Sequence, residues 1–76
     1  MIHIGNLIKK ELYRQDRTIT WFAYKINCER TNVYSIFKRE SIDSALLFRI
    51  SLVLHYNFFD YYTQELNDCD FISTHP

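Results

Sequence analysis

Between Thr18 and Lys38 the chain reads TITWFAYKINCERTNVYSIFK, and the spacing of its apolar residues admits few folds. Phe22, Ala23 and Ile26 stand at i, i+1 and i+4, which gathers them on one stripe of a helix. Seven residues beyond Ile26 a second stripe begins with Val33, Ile36 and Phe37, again at helical spacing. Asn27-Cys28-Glu29-Arg30 lies between them and is too short for anything but a turn. Ala23 lets two helices cross closely where a larger side chain would hold them apart. Asn27 falls where the chain must leave the first stripe, and Asn tolerates the left-handed conformation used there. These choices agree on two short helices joined by a tight turn.

Helical periodicity continues on both sides of this segment. Ile4, Leu7, Ile8 and Leu12 share the inner face of a first helix over about Ile4–Arg14, with Gly5 near its start and Gln15-Asp16-Arg17 after it. Thr18 or Thr20 supplies the hydroxyl that caps the second helix. A third is predicted from Arg30 or Thr31 to near Arg39, where Lys38 and Arg39 complement its C-terminal dipole. Ser41 or Asp43 caps a fourth, which carries Leu46, Leu47, Ile50, Val53 and Leu54. His55-Tyr56-Asn57 breaks it, and Phe58 to Leu66 reads as a fifth, aromatic-rich helix. Residues 67–76 are polar with isolated apolars and are expected to form a frayed tail. Strand alternation never persists, so the predicted fold class is all-α: a compact bundle of about five helices in one domain over residues 1–66. At 76 residues there is room for a single core.

The placement of Ala23, Asn27, Cys28, Val33 and Ile36 resembles the helix-turn-helix of the lambda-repressor/Cro-like (XRE) family of bacterial transcription regulators. In that family a small residue lies four positions before a turn Gly, an aliphatic follows the Gly, and further aliphatics follow on the next helix. This chain departs from the pattern with Asn27 for Gly and Cys28 for the aliphatic, both physically tolerable. The run SIDSALLFRISLVLHYNFFDYY looks like the family's fourth and fifth helices, so the resemblance covers roughly residues 4–66. It implies a lambda-repressor-like bundle, Thr18 as the cap of the second helix, and a third helix docked in the major groove of double-stranded DNA. It also implies a transcription regulator, expected to be a repressor that occludes a promoter, and a homodimer on palindromic operators.

The charge distribution bears on that expectation. Net charge is zero over the whole chain, which by itself argues against nucleic acid. Residues 1–40, however, carry eight cations against four acids, whereas residues 41–76 carry Arg49 against five acids. The positive half holds the helix-turn-helix, as an electrostatic footprint for phosphate requires.

On the third helix the face left over by Val33, Ile36 and Phe37 carries Thr31, Asn32, Ser35 and Lys38, with Arg30 at its start and Tyr34 at its flank. Arg pairs with guanine, Asn with adenine, and Ser and Thr are adaptable. Arg30, Thr31, Asn32 and Ser35 are therefore the candidate base contacts. Thr18, Lys25, Tyr34, Lys38 and Arg39 are the candidate phosphate contacts, which position without reading sequence. Trp21 either packs under the first helix or lies beside the DNA backbone. The aromatics Phe48, Tyr56, Phe58, Phe59, Tyr61 and Tyr62 exceed what one small core needs. Leu52, Phe58, Tyr61 and Tyr62 are accordingly expected at a dimer interface.

Other classes find little support. Apolar content of 47% fits a folded domain. No run of 18 apolar residues spans a membrane, and the N-terminus lacks a signal-peptide pattern. Cys28 and Cys69 have no CxxC spacing, which suits two free thiols in a reducing cytoplasm, with Cys28 a buried structural thiol. Gly5 is the sole glycine, so there is no Gly-rich phosphate loop. His3, His55 and His75 lack ligand spacing, so neither a metal nor another cofactor is expected. No small-molecule ligand is evident, and no enzyme is read here. The rival reading is a protein-interaction module on the same scaffold, such as the antitoxin half of a toxin–antitoxin pair, favoured by zero net charge and surplus aromatics.

Overall fold

The computed structural model describes residues 1–68. Within them the chain is all-helical: α1 (Ile4–Arg14), α2 (Ile19–Lys25), α3 (Arg30–Phe37), α4 (Ser44–Leu54) and α5 (Phe59–Asn67). Each start has a local cause. The ring Nδ1 of His3 accepts from the Asn6 amide at 3.1 Å, Thr18 Oγ1 from Trp21 at 3.0 Å, and Asp43 Oδ1 from Leu46 at 2.8 Å. Thr18 and Asp43 are thus the caps, not Thr20 and Ser41.

Three helices end in the same way without glycine. Asp16, Asn27 and His55 take φ of 58°, 58° and 51°, and the two amides that follow each helix turn back onto its last carbonyls. After α2, Asn27 donates to Tyr24 O at 3.1 Å and Cys28 to Ala23 O at 2.9 Å, a Schellman closure. The left-handed turn expected at Asn27 is present, and Asp16 and His55 repeat it.

Two boundaries differ from expectation. α3 stops at Phe37 with Lys38 as its C-cap, so Lys38 and Arg39 do not extend it. Asn67, expected in the tail, closes α5, with Asp68 as its C-cap; residues 69–76 of that expected tail lie outside the described residues.

The core gathers Ile4, Ile8 and Leu12 of α1, Phe22, Ala23 and Ile26 around α2, and Val33, Ile36 and Phe37 of α3. Leu47, Ile50 and Leu54 of α4 and Phe58 complete it. Leu7, Leu46 and Val53 are only partly buried, at the margins of that cluster. Phe58 precedes α5 and is fully buried, its ring centroid 4.8 Å from that of Tyr56. It belongs to the core and is excluded from any surface interface.

The α1–α3 junction is closer than side chains allow. The first-turn amides of α1 donate to carbonyls beyond α3: Ile4 to Glu40 O at 3.0 Å and Gly5 to Arg39 O at 2.9 Å. A helix start has unpaired N–H groups, and the carbonyls of the turn after α3 satisfy two of them. Gly5 is therefore a contact residue inside the helix, beyond its role as a boundary marker. A Cβ there would come 2.5 Å from Phe37 O, 2.7 Å from Arg39 O and closer still to Ile36 O.

At the other end of α1, buried Glu11 accepts from Arg14 Nε at 2.9 Å and from Arg14 Nη2 at 2.5 Å. Gln15 Nε2 donates both to Glu11 Oε2 and to Leu54 O, each at 2.7 Å, which ties α1 to the last turn of α4. The Arg14 hydrogen bonds hold the Glu11 carboxyl below its usual range against the opposing effect of burial.

Two outcomes follow from this packing. Gly5→Ala gains about 1 kcal/mol of helix propensity but must displace backbone carbonyls. It is expected to lose about 1–3 kcal/mol net in urea denaturation, and an unchanged midpoint would remove the close approach. Because Glu11 titrates lower when folded, its contribution is present above its ordinary value of 4.5 and is lost as pH falls through the folded value. Stability should therefore fall on acidification below about pH 4.5. Glu11→Gln should flatten that part of the profile, and matching acid profiles would rule the carboxylate out.

Candidate nucleic-acid interface

Helix α3 has two faces. Val33, Ile36 and Phe37 anchor it in the core, and Arg30, Thr31, Asn32, Tyr34, Ser35 and Lys38 are all exposed, with Thr31, Ser35 and Lys38 farthest from the anchors and Arg30 and Asn32 at the two flanks. Tyr34 is half exposed and packs edge-on against Phe37, with centroids 6.3 Å apart. Its ring is braced from below, and among the described residues its hydroxyl makes no hydrogen bond. Among the described residues Arg30, Lys38 and Arg39 form no ion pair, so their charge is available to a ligand. The four candidate base contacts are thus all exposed on α3, spread from one flank of the helix to the other.

The phosphate candidates divide. Lys38, Tyr34 and Arg39 lie on or just beyond α3. Thr18 is exposed at the start of α2, where its Oγ1 caps the helix. Lys25 is placed differently: its ammonium sits 5.9 Å from the Trp21 ring centroid, in a groove between α2 and α4. It is drawn there by the indole face and is left out of the α3 surface. Trp21 is half-buried, between the two positions open to it from sequence.

A groove of about 260 Å³ runs along the other edge of α3, lined by Asn27, Cys28, Asn32, Ser35, Arg39, Leu46 and Arg49 among others. Cys28 is only half-buried there, so it is not the buried thiol expected. Burial raises its pKa, partly opposed by the nearby Arg49 charge. Arg49 donates to Ile26 O at 2.7 Å, which fastens α4 to the last carbonyl of α2 and braces the turn that orients α3. Sequence reading missed this clamp, and no local pattern marks an arginine that reaches back 23 residues. Arg39 and Arg49 together carry positive charge from both halves of the chain to one margin of α3.

The expected interface residues are scattered. Leu52 is 58% exposed, while Tyr61 and Tyr62 are half-buried against the core. The hydroxyls of Tyr61 and Tyr56 lie 2.8 Å apart, and that bond with partial burial pushes Tyr61 up to about 12. Phe48, 56% exposed and one turn before Leu52, is the apolar surface that sequence reading left unassigned. Among the described residues no three His, Cys, Asp or Glu side chains converge as metal ligands, and no helix is long and apolar enough to cross a membrane. No protein-family model matches the chain, and no curated protein or solved structure matches it either.

Arg49→Ala is expected to lower stability by about 1–2 kcal/mol while leaving far-UV helicity in place. Amide exchange at Asn27 and Cys28 should rise, and unchanged protection there would show that Arg49 does not brace the turn.

Proposed function

We propose that the chain is a sequence-specific double-stranded DNA-binding transcription regulator of the lambda-repressor/Cro-like (XRE) type, acting as a repressor. One observation carries the reading: α3 exposes Arg30, Thr31, Asn32 and Ser35 while three buried residues anchor it. These are side chains with the donors and acceptors needed at base edges, and they cluster toward the helix N-terminus, the end that enters the major groove. Tyr34, Lys38 and Arg39 flank them and Thr18 stands at the start of α2, as contacts to the phosphates on either side. Rigid support comes from the core beneath and from the Arg49 clamp at the turn, so the face is presented without first ordering a loop.

Fluorescence anisotropy on a pool of genomic DNA fragments across a salt series tests the reading. Binding should fall steeply with salt, because each neutralised phosphate releases counterions. Arg30→Ala/Asn32→Ala should lose sequence preference by about 1–3 kcal/mol per base contact, and Lys38→Ala should weaken all sequences alike and reduce the salt slope by about one. A folded protein that fails to bind at low salt would refute the proposal and favour the interaction module.

A further inference from the structure

A second surface lies between α2 and α4, away from the exposed face of α3. Its floor is the Trp21 ring with Val53 and the exposed Leu52, and Arg17, Lys25 and His55 complete the lining. The Arg17 guanidinium carbon lies over Trp21 at 4.4 Å from the ring centroid, and Lys25 approaches the same ring at 5.9 Å. A guanidinium held over an indole by cation–π attraction keeps its N–H donors for a carboxylate. Among the described residues neither cation has an acidic partner, and no carboxylate lines the groove.

We propose that this groove docks an acidic amphipathic segment of a partner protein, with carboxylates on Arg17 and Lys25 and an apolar side chain against Trp21 and Leu52. Charge complementarity selects that occupant. Two-fold pairing of this chain about the groove would set both copies' Arg17 and Lys25 close together with no acid in the lining to offset them. DNA phosphates would satisfy the cations but gain nothing from an apolar floor holding a 58% exposed leucine. The inference stands apart from the DNA reading, because it uses none of the α3 residues.

Trp21 is the only tryptophan, so its emission reports the groove directly. The probe is a synthetic, tryptophan-free helical peptide with Glu, Leu and Glu along one stripe, beside the same peptide with Gln for Glu. The expected result is a saturable emission change with Kd below about 1 mM for the Glu peptide. Binding should be at least about tenfold weaker for the Gln peptide, for Arg17→Gln/Lys25→Gln and for Leu52→Ser. No saturable change with folded protein would overturn the proposal, and so would equal binding of the two peptides. Full retention of binding by Leu52→Ser would reduce the site to charge adhesion and overturn it as well. Two further results would reassign the surface: loss of duplex DNA binding in Arg17→Gln/Lys25→Gln makes it a phosphate surface, and emission that changes on dilution alone makes it a contact between copies. Arg30→Ala/Asn32→Ala should leave peptide binding unchanged, so failure of the DNA reading and failure of this one are separable.

Discussion

The pairing of the α1 N-terminus with the carbonyls that follow α3 is the contact on which the arrangement depends. Two amides and two carbonyls that would otherwise be orphaned meet at 3.0 and 2.9 Å, across a gap that only a residue without Cβ permits. Helices α1 and α3 are therefore joined by backbone as well as by side chains, which sets the pitch of α3 against the core. The chain has one glycine and uses it here. Its left-handed helix ends are left to Asp16, Asn27 and His55, each at a cost of about 1 kcal/mol relative to glycine. The reason is steric: a Cβ in a left-handed turn is tolerable, whereas a Cβ pressed on three carbonyl oxygens is not.

The exposed face of α3 inherits its order from this frame. Three apolar anchors hold its underside, the α1 junction holds its end, and the Arg49 hydrogen bond to Ile26 O braces the turn before its start. A short helix of eight residues has little stability alone, so its geometry is set by tertiary contacts at both ends. Such support lets exposed polar side chains remain unpaired within the protein and available to an external partner. The groove between α2 and α4 uses a different device, since there the indole of Trp21 organises two cations without neutralising them.

The helices were legible because periodicity, caps and turn residues are local signals. The span of α1 and the bend at Asn27 follow from Ile4, Ile8, Leu12 and the Ala23–Asn27 spacing alone. The polar face of α3 was legible for the same reason, as what remains once Val33, Ile36 and Phe37 are turned inward. Burial of aromatics was less so. Phe48 is 56% exposed because it stands on the face of α4 turned away from Leu47, Ile50 and Leu54, whereas Phe58 is fully buried because the bend at His55 turns the chain back onto the core.

The sequence by itself therefore determined the number of helices, their approximate limits and the identity of the residues on each face, since these depend on near neighbours in the chain. Only the tertiary structure decided that Gly5 is a contact, that Glu11 is buried, that Gln15 reaches Leu54 O and that Arg49 clamps the turn. The Gly5 and Arg49 contacts, and the bond from Gln15 to Leu54 O, join residues more than twenty positions apart through backbone carbonyls. Every residue has a carbonyl, so no side-chain pattern can announce which one is used.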